Sequence, residues 1–211
     1  EIDADVIFDC RGRHNRNEED YDTLINPLNA VLLCKKLGRD VDLHYTRCLA
    51  THNGWTFVIP NTDSVSYGYL YNNIITSKEA ATEDFLSRFE LDEVDGEMVF
   101  VKYMAKNFYN GNRTVNQGNM YGFIEPLESN GLLTVHEFLT HLIEVLKKPI
   151  VNEYAKTTFN MTCKRMFRGF AEFVSLHYAL SNRTDTQYWK DIQTRNYPVQ
   201  GKCIKARGEA T

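Results

Sequence analysis

The sequence predicts an α+β fold, in which mixed or antiparallel strands come first and a helical C-terminal part follows. Two observations predict it. In the first half of the chain, apolar residues alternate with polar ones or form short blocks bounded by turn residues. From residue 133 onward they recur at helical spacing instead. The chain has 211 residues, of which 43% are hydrophobic and 25% charged, a composition typical of a globular protein with a sizeable core.

Short strands are predicted in the first half, each bounded by turn residues. The first ends at the glycine turn Asp9-Cys10-Arg11-Gly12, and a hairpin turns at Asn53-Gly54. The apolar block 30–36 fits either a strand or a short helix. The predicted strands cover residues 4–9, 46–59, 66–72 and 97–106, and residues 13–28 are predicted to be a loop.

Three helices are predicted. A capping box opens the first, with the Thr76 hydroxyl serving the first-turn amides and Glu79 reaching back, and it runs to about Phe89. The second covers residues 133–147 and ends before Pro149, and its apolar residues form one face. Residues 151–178 form the third, which is rich in phenylalanine.

Composition excludes several classes of function. The formal net charge is −4, so the clustered basic surface of a nucleic-acid-binding protein is not expected. Five irregularly spaced cysteines indicate reduced thiols in the cytoplasm rather than a disulfide framework or a metal site. Apolar runs are too short to cross a bilayer, which predicts a soluble protein that does not enter a membrane.

The segment 118–132, GNMYGFIEPLESNGL, combines glycines, two glutamates and a helix start near Ser129. Glycines before a helix N-terminus allow close backbone approach, and the exposed amides favour an anion such as a phosphate, a halide or a reduced flavin. Either glutamate could then act as an acid or a base. The alternative is structural: Ser129 or Asn130 caps the helix while Glu128 complements its dipole. From the residues alone, both interpretations remain open.

A resemblance to a known family favours the functional interpretation. FIEPLESNG (123–131) resembles the FxEPLESTG signature of flavin-dependent tryptophan halogenases. Four further segments resemble motifs of that family in the same order along the chain. They are ADVIFDCRG (4–12), GWTFVIP (54–60), SYGYLY with SKEA (66–71 and 77–80), and FVSLHYALSNRTDTQYW (173–189).

The resemblance implies that reduced FAD, oxygen and chloride, bromide or iodide generate hypohalous acid, which halogenates an electron-rich aromatic ring. Glu128 matches the family's catalytic glutamate, which acts as a general base toward the proton lost from the ring. Asn130 and Gly131 match the halide neighbours. The flavin-side positions match Gly12, Gly118, Asn119, Met120, Gly122 and Phe123.

On the substrate side, Trp55, Phe57, Ile59 and Pro60 match a motif that keeps the substrate away from the flavin, although Phe57 replaces a tryptophan. Tyr178 and Trp189 either line an aromatic substrate pocket or pack in the core. Two departures bear on specificity. Asn130 replaces a threonine, and Thr184 stands where members acting on free tryptophan often have an acidic residue.

Two elements of the family are missing from the sequence: the GxGxxG dinucleotide fingerprint and the catalytic lysine that follows it. We therefore expect the chain to be the C-terminal portion of an FAD-dependent, monooxygenase-like halogenase fold. Residues 1–148 would hold the flavin segments (4–12 and 118–132) and a substrate-side sheet (about 46–106), and residues 149–211 a helical unit. A flavin reductase is the expected partner, and homo-oligomerisation is left open. A related hydroxylase and a catalytically inert module are the alternatives.

Overall fold

The computed structural model describes residues 3–13, 18–24, 27–38, 44–111 and 113–194. It confirms the predicted α+β class, with mixed sheets and helices that dominate the C-terminal third. The described residues form two compact units, each assembled from separate stretches of chain. Residues 27–100 and 175–194 form one, and residues 3–24 and 101–174 form the other. The sequence-predicted division at residue 148 stays a prediction.

The first unit is built on a five-stranded antiparallel sheet with the order β4-β5-β6-β3-β7. Ambiguity over residues 30–36 is resolved in favour of a strand, because this segment pairs along its whole length with β6. One face of the sheet is covered by α1, whose Phe85 and Ala81 pack on Leu32, Tyr69 and Tyr71. The elements are β3 (Ala30–Leu37), β4 (Arg47–Thr51), β5 (Gly54–Pro60), β6 (Ser64–Tyr71), α1 (Lys78–Phe89) and β7 (Gly96–Val99).

The predicted hairpin is confirmed, since β4 and β5 pair from Thr51 and Gly54 outward. The predicted cap of α1 is wrong by one residue. Ser77 is the N-cap, and its hydroxyl accepts a hydrogen bond from the Ala80 amide at 3.2 Å. The Thr76 hydroxyl instead donates to the Asn53 side chain, which ties the hairpin turn to the start of the helix.

The second unit contains two three-stranded sheets. In one, β1 lies parallel to β10, and β10 lies antiparallel to β9. In the other, β8 lies between β11 and β2 and is antiparallel to both. The strands are β1 (Ile7–Asp9), β2 (Tyr21–Thr23), β8 (Tyr103–Ala105), β9 (Tyr109–Asn110), β10 (Thr114–Asn116) and β11 (Gly122–Phe123).

Two sequence predictions are corrected here. Residues 13–28 were expected to be a loop, but Tyr21–Thr23 form β2 because β8 supplies a partner for this polar stretch. The single strand expected over residues 97–106 is two strands, since β7 pairs with β3 in the first unit and β8 pairs with β2 and β11 in the second.

The C-terminal helices are α2 (Asn130–Leu146), α3 (Glu153–Ala179) and α4 (Gln187–Thr194). Helix α2 begins at Asn130, as the start predicted near Ser129 requires and three residues before the helical periodicity that begins at residue 133, and α4 was not predicted. Among the described residues, no helix combines the length and the apolar character needed to span a bilayer. Cys10, Cys34 and Cys163 are free thiols, and Cys203 lies outside the described residues.

A pair of glycine substitutions tests the register of the sheet. A Cβ at Gly54 would overlap with the carbonyl oxygen of Leu70 in β6, whereas one at Gly96 would meet no atom. Because a backbone atom cannot move aside without breaking the ladder, we expect Gly54→Ala to lower the free energy of unfolding by about 3 kcal/mol. Gly96→Ala is the matched control and should change it by less than about 1 kcal/mol. Urea unfolding measures both, and equal effects would contradict the register.

Candidate functional site

The second unit has a pair of parallel strands whose ends lie side by side. In β1 and β10, Asp9 is paired with Asn116, and the Gln117 amide donates to the Asp9 carbonyl at 2.9 Å. Beyond these ends the chain passes through Gly12 (φ 81°) and Gly118 (φ 57°), both in the left-handed region that favours glycine. Crevices beyond the carboxyl ends of parallel strands are common ligand sites in α/β proteins.

A short 3-10 turn, Gly118–Met120, follows β10 and is held by two tyrosines. Tyr103 donates its hydroxyl to the Asn119 carbonyl at 2.7 Å, and Tyr21 donates to the Met120 carbonyl at 3.0 Å. The two rings pack edge to face with centroids 5.3 Å apart. The guanidinium of Arg13 lies over both rings, at 4.7 Å and 5.2 Å from their centroids. The turn is therefore fixed in place by contacts to its carbonyl groups.

Buried polar atoms without partners lie next to this turn. Gln117 is 4% exposed, and neither its amide nitrogen nor its amide oxygen has a hydrogen-bond partner among the described residues. The side-chain oxygen of Asn116 is likewise buried and has no hydrogen-bond partner among the described residues. Such atoms destabilise a fold unless water or a ligand satisfies them, so this end of β10 is suited to a polar ligand.

A cavity of about 430 Å³ lies between this turn and the N-terminus of α2. Its wall is largely apolar, with Phe123, Ile124 and Phe167 among the lining side chains. It brings together six of the nine residues predicted for catalysis, halide and flavin. Those in its wall are Gly118, Asn119, Gly122, Phe123, Asn130 and Gly131, while Gly12, Met120 and Glu128 do not line it.

The N-terminus of α2 supplies hydrogen-bond donors to this cavity. Ser129 is the N-cap residue, but its side chain makes no capping hydrogen bond to the helix, so the structural alternative in which Ser129 caps the helix finds no support. The first-turn amides of a helix have no acceptor within the helix itself. Asn130 adds its side-chain nitrogen, which is buried and has no partner in the described part of the chain, at a residue only 7% exposed. Beside Gly131 there is open space.

The two glutamates of the predicted segment lie in different environments. Pro126–Glu128 form one 3-10 turn, which places Glu125 before the turn and Glu128 at its end. Glu125 is 1% exposed and lines the cavity, whereas Glu128 is exposed. After Glu128 the chain passes through Ser129 in the left-handed region (φ 52°, ψ 31°), an unusual conformation for a residue other than glycine. The chain therefore changes direction immediately after Glu128.

The structure adds a residue that the sequence prediction missed. Lys102, 1% exposed, donates from its ammonium group to the Glu125 carboxylate at 2.6 Å. Burial lowers the pKa of Lys102 below its usual value, while the Glu125 charge acts in the opposite direction. Lys102 immediately precedes Tyr103, which pairs with Phe123, so the ion pair lies just beyond the end of the β8–β11 ladder. No motif marks Lys102 in the sequence.

The predicted substrate-side residues lie in the other unit. Trp55 on β5 is buried, Phe57 and Pro60 are partly buried, and Ile59 is exposed. Tyr178 and Trp189 are both buried and stacked on each other, and the Trp189 indole donates to the Thr51 carbonyl at 2.9 Å. These contacts favour core packing for Tyr178 and Trp189, and their role toward a substrate stays a prediction. In the described part of the chain, no cluster of metal-ligating side chains is present.

Comparison with known proteins matches this chain to one family. The sequence model described as tryptophan halogenase matches residues 1–207. Tryptophan 7-halogenase RebH of Lentzea aerocolonigenes is 27% identical over 90% of this chain and 38% of its own length. Tryptophan 6-halogenase SttH of Streptomyces toxytricini is 31% identical over 73% of this chain and 30% of its own. The chain thus spans 30–38% of the length of these relatives.

Solved structures give the same result for the fold. The thermophilic tryptophan halogenase Th-Hal, from Streptomycin violaceusniger, superposes with a TM-score of 0.79 at 27% identity. The superposition covers 92% of this chain and 40% of Th-Hal.

The buried ion pair makes a testable prediction for stability. Removing one partner of a buried pair leaves the other charge uncompensated, so we expect Lys102→Met to cost about 3–5 kcal/mol of unfolding free energy. The double variant Lys102→Met/Glu125→Leu should recover most of that loss, because no charge remains buried.

A matched control for this measurement is Lys147→Met. Lys147 forms an ion pair with Glu144 at 2.7 Å, but both side chains are 65% exposed. Exposed pairs contribute about 0–1 kcal/mol, so little change is expected in urea unfolding. If the two lysine variants lost the same stability, burial would not be what makes the Lys102 pair important.

Proposed function

We propose that the intact protein halogenates an electron-rich aromatic ring, on the premise that this chain belongs to the tryptophan halogenase family, whose sequence model matches residues 1–207. The proposal rests on the cavity at the N-terminus of α2, where the segments that match the family's flavin and halide positions converge. Because the chain spans 38% or less of the curated relatives above, the activity concerns the whole protein.

The residues at the ends of β1 and β10 fit a flavin. Gly12 and Gly118 allow the backbone to approach a ring system closely, and Gln117 offers buried polar atoms for its polar groups. Gly118, Asn119, Met120, Gly122 and Phe123 would lie along the cofactor. When bound, reduced FAD supplies the electrons that activate oxygen for oxidation of the halide. The turn held by Tyr21 and Tyr103 keeps this surface in position before the cofactor arrives.

The N-terminus of α2 is proposed to hold the halide. Its uncapped first-turn amides, including that of Gly131, and the buried Asn130 side-chain nitrogen are donors that a chloride, bromide or iodide ion could accept. The positive end of the helix dipole favours the same charge. Asn130 stands where the family signature has threonine. Its side-chain amide is planar, so its N–H donors point in fixed directions.

Glu128 is proposed as the general base. Its carboxylate would orient the halogenating species and accept the proton that the ring loses when the halogen is added. Glu128 is the last residue of the 3-10 turn that follows Glu125. The left-handed conformation of Ser129 then turns the backbone into α2. Exposure in this chain leaves the carboxylate accessible to a substrate that the rest of the protein presents.

The substrate is proposed to be an indole, a phenol or a similar ring rather than free tryptophan. Thr184 carries no charge, so it cannot form the ion pair with a substrate amino group that an acidic residue at this position could form in relatives acting on free tryptophan. Trp55, Phe57, Ile59 and Pro60 would separate the substrate from the flavin. The family's catalytic lysine has no counterpart in a matching motif here, so the remainder of the protein is proposed to supply it. A cytoplasmic flavin reductase would deliver the reduced cofactor.

A second candidate is that this chain alone is a catalytically inert module. It is favoured by the absence of a GxGxxG fingerprint in the sequence, because the amides of that loop are the usual binding site for the flavin pyrophosphate. FAD binding by this chain tests the second candidate. Weak or absent binding by this chain, observed by flavin fluorescence, would support the inert module, and a tight complex would contradict it.

We expect the intact protein, supplied with reduced FAD, oxygen and bromide, to brominate at least one member of a panel of indoles and phenols. Mass spectrometry of the products identifies bromine by its isotope pattern. Hydroxylated products without any brominated one would show a flavin hydroxylase instead, and the halogenase proposal would fail.

Glu128→Gln should lower the rate of halogenation by about 10²–10⁴-fold, because an amide cannot accept the proton from the ring. Oxidation of reduced flavin should continue at the wild-type rate, since Glu128 does not line the flavin-side cavity. Glu144→Gln, an exposed position on α2, is the matched control and should leave both rates unchanged. An unaltered halogenation rate in Glu128→Gln would remove Glu128 from the mechanism.

A further inference from the structure

The cavity at the N-terminus of α2 contains an electrostatic conflict. Asn130 and the first-turn amides of α2 favour an anion there, but the carboxylate-bearing Glu125 lies in the same wall. A full negative charge about 8 Å from an anion, at an effective dielectric constant of about 20, would weaken its binding roughly thirtyfold. Without compensation, Glu125 would therefore cancel much of what the donors contribute.

Lys102 is placed to resolve this conflict. Its ammonium lies 2.6 Å from the Glu125 carboxylate, and its side chain is almost completely buried. Lys102 is not among the residues that line the cavity. An anion in the cavity would therefore meet the Asn130 amide and the helix N-terminus directly, and the ammonium only through its pair with Glu125.

We infer that Lys102 is the charge-compensating residue that allows the cavity to bind an anion by neutralising Glu125. The inference rests on the proposed function, in which that anion is the halide. Lys102 acts through Glu125 and not by contact with the anion, so it is a positioning residue in the electrostatic sense.

Stability alone is a poor explanation for this ion pair. Two charges taken out of water lose their hydration, and buried pairs are often replaced by apolar residues without loss of stability. An apolar pair would, however, leave the segment before Glu128 without the fixed link between β8 and the turn. The pair combines that link with a wall that carries no net charge.

Other charged groups on the surrounding elements are the same in all the variants proposed below. Lys164 and Arg168 on α3 both pair with Asp22 on β2, at 3.2 Å and 3.4 Å. Arg13 lies over the rings of Tyr21 and Tyr103, and Glu128 is exposed at the end of the turn. A change of anion affinity on altering Lys102 or Glu125 can therefore be assigned to that pair.

The test measures chloride binding to the intact protein by calorimetry and by chlorine NMR line broadening, with no flavin or substrate present. At pH 8, Lys102→Met should raise the dissociation constant for chloride about tenfold or more. Lys102→Met/Glu125→Leu, which restores neutrality, should return the dissociation constant to within about threefold of wild type.

Glu125→Gln gives a prediction of opposite sign. It leaves the Lys102 charge in excess, so chloride should bind several-fold more tightly than to wild type. This variant also keeps the inference testable if Lys102→Met does not fold. Asn130→Asp locates the site, because a carboxylate at that position should abolish chloride binding.

Two results would overturn the inference. They are a double variant that fails to recover affinity and weaker chloride binding by Glu125→Gln. If the wild-type protein bound no chloride, the proposed halide site would fall together with the inference. If the affinities followed the expected pattern but no brominated product formed, only the proposed function would fail.

Discussion

Burial of the Glu125 carboxylate at the end of β11 is costly unless an opposite charge is buried with it. Lys102 supplies that charge, and the rest of the candidate site depends on the result. With Glu125 held against the β8 side, the chain has three residues of 3-10 turn before Ser129 changes its direction. The first turn of α2 follows at once, so the position of the helix amides depends on the same anchor.

Two residues of one type, three positions apart, are thereby given different tasks. Glu125 is enclosed and paired with Lys102, so the pair contributes to the electrostatic balance of the cavity wall. Glu128 lies outside that wall and is exposed. The environment of a carboxylate commonly decides whether it acts as a structural charge or as an acid or base. Glu125 and Glu128 differ in environment because the first is buried and the second is exposed.

How much could be predicted from the sequence depended on how local the signal was. The hairpin at Asn53-Gly54 and the helical periodicity after residue 133 are local signals, and the structure confirms both. Strand β2 was missed because its polar residues become a strand only through pairing with β8. Helix α4 had a usable signal in Thr186, which accepts from the Trp189 amide, and in the buried pair Trp189 and Ile192. Lys102 had none, since its role depends on a partner 23 residues away.

The pairing of β1 with β10 has a consequence for how the protein folds. Arg113 bonds to the carbonyl of Ala4 across 109 residues of chain, and the Trp189 indole bonds to Thr51 across 138. Contacts between residues so far apart close slowly, because a long loop must be ordered before they contribute. During synthesis, strand β1 therefore has no β10 to pair with until the chain has grown past Arg113, which lies 109 residues after Ala4. The nascent chain is then vulnerable to aggregation at the unpaired edge of β1.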